Sequence, residues 1–79
     1  MVPIQCKMAR TALGLGVREL AKIADVSPNT IARLERGEDM RPSTIASIRA
    51  AFEGEGVIFV EENGEGPGVR LRKSPKDQR

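Results

Sequence analysis

Residues Val17–Gly37 read VRELAKIADVSPNTIARLERG, and the reading of this run decides the fold. Leu20, Ala21, Ile23 and Ala24 recur at helical intervals and predict a short helix with one apolar side. Asp25-Val26 interrupts the pattern with a residue type that tolerates the left-handed conformation a sharp turn needs. Ser27 is a good N-cap, since its hydroxyl can accept from backbone N–H groups of the next turn, and Pro28 suits the first helical position. Ile31 and Leu34 then face inward together, three residues apart. Asn29 and Arg33 stand one turn apart on the opposite side, with Pro28, Ala32 and Arg36 on the same outward surface. Gly37 closes the helix as a left-handed C-cap does. The result is a helix-turn-helix whose second helix shows a polar edge to solvent.

Upstream, a first helix is predicted from about Ile4 to Leu13. Its inner side is assigned to Cys6, Ala9 and Leu13 with Ala12, while Lys7 and Arg10 project elsewhere. Gly14-Leu15-Gly16 breaks this helix, with Leu15 expected as a core plug. Cys6 reads as a small buried hydrophobe rather than a reactive thiol, because nothing nearby would lower its pKa. Downstream, Glu38-Asp39-Met40 is a loop and Arg41-Pro42 opens a fourth helix reaching about Phe52. Ile45, Ile48 and Phe52 form its apolar stripe at i, i+3, i+7.

After Gly56 the period changes. Val57-Ile58-Phe59-Val60 is β-branched and aromatic, Asn63 to Gly68 is turn-forming, and Val69-Arg70-Leu71-Arg72 alternates apolar with charged. A β-hairpin or strand pair is expected here. The expected organisation is therefore a helical unit over residues 1–54, a β extension over 55–73 and a flexible tail over 74–79.

Composition narrows the function classes. Seventy-nine residues make one small domain near the lower limit for a self-sufficient core, and such a chain gains much from a partner subunit. Phe52 and Phe59 are the only aromatics, which argues against base-stacking platforms for single-stranded nucleic acid. One cysteine rules out an internal disulfide and an all-cysteine metal site. The absence of histidine removes zinc fingers and histidine-based catalysis. No general base, nucleophile or metal cluster stands out, so no catalytic residue, metal or cofactor is assigned. No long apolar run follows Met1, so neither a signal peptide nor a membrane span is expected, and the default is a cytoplasmic protein.

The net charge is only +2, but it is unevenly distributed. Residues 1–52 hold eight basic and five acidic side chains, residues 53–65 are acidic, and residues 70–79 are basic apart from Asp77. Local clustering, not the total, decides which surface can meet phosphates.

Taken together, Arg10, Leu20-Ala21, Val26-Ser27, Ile31, Leu34-Glu35, Gly37, Pro42, Ile45 and Ile48 resemble the Cro/repressor-type, or XRE-like, helix-turn-helix family of bacterial and phage transcription regulators. The likeness spans about Cys6 to Phe52. It implies a mainly α fold, a four-helix lambda-repressor-like DNA-binding domain, here followed by the C-terminal β-hairpin or strand pair. In that family the second helix of the motif lies in the major groove. The positions that meet base edges correspond to Ser27, Pro28, Asn29 and Arg33, with Ala32 within reach of a thymine methyl. The chemistry is suitable: Asn can pair with adenine and Arg with O6 and N7 of guanine, each for about 1–3 kcal/mol of discrimination. Arg18, Thr30, Arg36, Arg41, Ser43 and Thr44 are the phosphate candidates, contacts that fix register without reading sequence. Arg10 and Glu35 match positions that commonly form a semi-buried ion pair in the family. The chain departs from the family pattern at Gly16-Val17, where Ser-Gln is usual, at Asp25, where Gly is usual, and at Pro28, which cannot hydrogen-bond a base.

The expected function is a sequence-specific regulator of double-stranded DNA, a repressor acting as a homodimer on an inverted-repeat operator. One motif reads only a few base pairs, and a two-fold dimer doubles the readout. Val57, Ile58, Phe59, Val60, Val69 and Leu71 are the expected dimer contact, since an isolated hairpin is marginal in water. The rival class is a protein–protein adaptor on the same scaffold, such as a toxin-binding antitoxin, for which Asp25 and the acidic run from Glu53 to Glu65 speak.

Overall fold

A computed structural model describes residues 1–73; the tail expected over 74–79 lies outside the described residues. Four helices, α1 (Pro3–Leu13), α2 (Val17–Ala24), α3 (Pro28–Glu35) and α4 (Pro42–Gly54), precede two strands, β1 (Val57–Val60) and β2 (Gly68–Leu71). The strands pair antiparallel, with Val57 opposite Leu71 and Val60 opposite Gly68. The chain is mainly helical with a small C-terminal sheet, as the sequence predicts.

Local chemistry accounts for the boundaries. Ser27 takes extended backbone angles and its Oγ accepts from the Thr30 N–H at 3.2 Å, while Pro28 occupies the first turn. Asp25 ends α2 at φ 60, the one non-glycine residue of the described chain in the left-handed region. Gly37 turns the chain away from α3 at φ 85, and the Glu38 N–H bonds back to the Arg33 carbonyl at 3.1 Å. Glu19 reaches back to the Gly16 N–H at 2.6 Å, which starts α2 without a side chain at the cap position itself.

One core joins the helices to the sheet. Cys6 and Ala9 of α1, Leu20, Ala21 and Ala24 of α2, Ile31 and Leu34 of α3, and Ile48 and Phe52 of α4 are buried with Val57 and Phe59 of β1. Phe52 and Phe59 meet edge to face with centroids 6.0 Å apart, and the Arg49 guanidinium lies 4.9 Å from the Phe59 ring centroid. Gln5, buried on α1, ties the two layers together. Its Oε1 accepts from the Val2 N–H, and its Nε2 donates to the carbonyls of Val60 and Gly68 at 3.1 and 3.0 Å. Every polar atom of this buried amide that points inward is thus used, as a buried polar group requires.

Several sequence expectations need correction. Val57 and Phe59, assigned to a dimer contact, are inside the protomer's own core, because their face of β1 is the one that covers α4. Ile23, assigned to the inner stripe of α2, is 43% exposed, since Leu20, Ala21 and Ala24 already fill that side. Ala12 is exposed on α1, whereas Gln5, two turns earlier and not expected inside, is buried. Leu15 is only half-buried and no core plug; its carbonyl instead accepts from Arg10.

Candidate nucleic-acid interface

Helix α3 is anchored on one side and open on the other. Ile31 and Leu34 are almost wholly buried, so the helix cannot rotate without losing that packing. Ser27, Pro28, Asn29 and Arg33 are exposed, Ala32 is half-buried, and Arg36 is exposed at the helix end. The residues expected to read bases therefore share the side of α3 that is open to solvent.

A polar cleft of about 350 Å³ opens beside this edge, between the starts of α3 and α4. Ser27, Thr30, Arg33, Arg41 and Thr44 line it together with Val26, Asp39 and Met40. Three of the expected phosphate contacts thus meet two of the expected base contacts at one place. The Ser27 and Thr30 hydroxyls are 2.9 Å apart, so one donates to the other, and whichever accepts keeps its own O–H free to donate outward. Arg41 takes the N-cap position of α4 with extended backbone and no side-chain cap, which leaves the first turn of a 13-residue helix open to an anion. Arg18, Arg36 and Ser43 are exposed but do not line the cleft.

The electrostatics of the edge are less basic than the sequence suggests. Glu38 receives the Arg33 Nε on one oxygen at 3.0 Å, and Arg36 on the other through Nε at 2.9 Å and Nη2 at 2.8 Å. Hydrogen bonding from Arg33 first, and then from Arg36, holds the Glu38 carboxyl below the usual carboxylate range. Glu38 was not among the sequence-derived candidates. The signal was present, since the ERGE run sets it just past a glycine that turns the chain back on its helix, but an exposed glutamate in a loop has no periodicity to mark it.

Behind the edge, α1 braces the far end of α3. Arg10 meets Glu35 with Nε to Oε2 at 2.9 Å and Nη2 to Oε1 at 3.0 Å, and its Nη1 donates to the Leu15 carbonyl. Cys6 Sγ donates to the same carboxylate at 3.3 Å. The Arg10 hydrogen bond is the main cause holding Glu35 below the ordinary carboxylate range. Burial, with Glu35 beside it, pushes the Cys6 thiol up to about 12, which keeps it protonated and unreactive.

No helix of the described residues is long and apolar enough to cross a membrane. No curated protein matches the chain. A family model described as helix-turn-helix matches residues 7–52, which take in α2 and α3 whole, most of α4 and the later part of α1. The anchored, open-edged α3, its serine cap and the Arg10–Glu35 pair behind it all fall within that match, and the chain belongs to the XRE-type helix-turn-helix family of DNA-binding transcription regulators.

Proposed function

We propose that the protein is a sequence-specific repressor that binds an inverted-repeat operator in double-stranded DNA as a homodimer. The observation that carries this reading is the edge of α3: Asn29 and Arg33 are exposed one turn apart on a helix held by Ile31 and Leu34. Asn29 would pair with adenine and Arg33 with guanine, while Ala32 would lie against a thymine methyl. Arg41, Ser43 and Thr44 at the start of α4, Thr30 on α3 and Arg18 on α2 would hold phosphates on either side of the reading edge, and Arg36, expected to join them, would do so only on leaving Glu38.

Dimerisation is assigned to the outer parts of the hairpin. Ile58 and Leu71 are large apolar side chains exposed on a sheet of only two strands, whose outer edges lack a strand neighbour. Val60 shares the outer face of β1 with Ile58 and would extend the contact there, whereas Val69 and Leu71, paired with Phe59 and Val57, lie on the core face, where Val69 packs on the core and only Leu71 is exposed. A double Ile58→Lys, Leu71→Lys variant should sediment as a monomer with the fold intact, and an unchanged dimer would move the contact elsewhere.

The exposed acidic hairpin tip, Glu61, Glu62 and Glu65, favours a second reading in which the scaffold docks a basic protein such as a toxin. A gel shift on random duplex at low and moderate salt separates the two. The repressor should be retained at low salt and released as salt rises; no retention at either would favour the adaptor.

A further inference from the structure

We infer that Glu38 is a specificity-determining residue of the α3 edge: its carboxylate orients Arg33 toward a base while it holds Arg36 back from the phosphates. This rests on the reading that the α3 edge meets duplex DNA.

The two arginines are held in different ways. Arg33 is gripped through Nε alone, at 3.0 Å from Oε1, which leaves both terminal nitrogens of its guanidinium in place. Those two nitrogens are the pair that matches O6 and N7 of guanine. Arg36 is gripped through Nε and Nη2 on Oε2, so the side-on pair that would grasp a phosphate is closed. One carboxylate therefore turns one arginine into a set reader and occupies the other.

Glu38 is itself fixed in place. Gly37 at φ 85 doubles the chain back, and the Glu38 N–H bonds to the carbonyl of Arg33, the same residue that its side chain holds. The carboxylate is thus tied to Arg33 at two points rather than carried on a free loop. Stability does not explain the arrangement, because all three side chains are between 42 and 57% exposed and such pairs contribute little. Its effect falls on recognition. The three side chains present a net charge of +1 where the arginines alone would present +2, which weakens attraction to any duplex. An oriented guanidinium, meanwhile, has less freedom to lose on meeting its base.

The test compares the full chain with Glu38→Gln and Glu38→Ala on a duplex selected by the wild type and on a random duplex, across a salt series. Arg33→Ala serves as the reference, and thermal unfolding verifies that each variant is folded. Both Glu38 variants should bind random duplex roughly fivefold to tenfold more tightly near 0.1 M salt, with a slope steeper by about 0.9 for one more phosphate. Binding to the selected duplex should not rise in step. The ratio of selected to random affinity should fall about tenfold, chiefly at the base pair that Arg33→Ala relaxes. A rise by the same factor on both duplexes would make Glu38 a plain competitor and overturn the proposal, as would no change on either. If the wild type prefers no duplex, or Arg33→Ala loses nothing, the reading of the α3 edge fails and this proposal with it. If the wild type discriminates through Arg33 and the Glu38 variants keep its ratio, only the role of Glu38 fails.

Discussion

Helix α3 is held by two arginine–glutamate clusters that share a chemistry and differ in their surroundings. On its inner side Arg10 and Glu35, 17 and 13% exposed, make a two-pronged pair, with Arg10 also bonded to the Leu15 carbonyl and Glu35 to the Cys6 thiol. On its outer side Arg33 and Arg36 share Glu38 in open solvent. The inner pair has no competitor for its hydrogen bonds, so it is a fixed part of the fold. The outer cluster of three side chains lies in open solvent, where such contacts contribute little to stability. Burial, and not the residue types, separates a brace from a cluster on an open edge.

The comparison is broken most forcefully from the inside. Glu35→Ala would leave Arg10 and the Cys6 thiol without their shared acceptor, at a cost of about 3 kcal/mol in urea unfolding, as for other pairs stripped of one buried partner. A loss below about 0.5 kcal/mol would place the inner pair in the same class as an exposed one. Next in size, Arg33→Ala should cost about 1–3 kcal/mol of binding to a selected duplex and relax preference at one base of each half-site. Its stability should stay within about 0.5 kcal/mol of wild type, the usual range for a surface substitution.

Acid distinguishes the two carboxylates. Glu35 is held below its ordinary value of 4.5, so its contribution to stability is complete above that pH and is lost as pH falls through the lower native value. The wild type should therefore lose stability more steeply below pH 4.5 than Glu35→Gln does. Glu38 is also lowered, by Arg33 and Arg36, but in open solvent, so 1 M salt should erase its share and leave that of Glu35. The smallest effect sharpens the contrast: Glu38→Gln should change unfolding by no more than about 0.5 kcal/mol, which a chevron or denaturant midpoint resolves.

Much of the fold was legible because it is written in short-range chemistry. Ser27-Pro28, Asp25 and Gly37 set the ends of the two central helices, and the spacing of Ile31 and Leu34 fixes which side of α3 faces out. What periodicity could not convey is what lies across a face. The apolar stripe of α2 included Ile23, but only the packed structure shows that the covered side ends at Ala24. Alternation in β1 separated Val57 and Phe59 from Ile58 without saying which face met α4, so core residues were expected at a dimer contact. The Gln5 clasp depends on carbonyls 55 and 63 residues away, and no local pattern announces it. At the reading edge the residue types were visible in advance; the sharing of one carboxylate between Arg33 and Arg36 was not, because it follows from the path of the chain after Gly37.

The central claim is that the outward edge of α3 reads base pairs while its inner side is locked. Random-oligonucleotide selection with the purified chain and with the Asn29→Ala, Arg33→Ala variant tests it most directly. The wild type should enrich an inverted repeat with half-sites about one helical turn apart, and the variant should bind duplex without enriching it. Enrichment of the same sequence by both proteins, or of none by the wild type, would contradict the account.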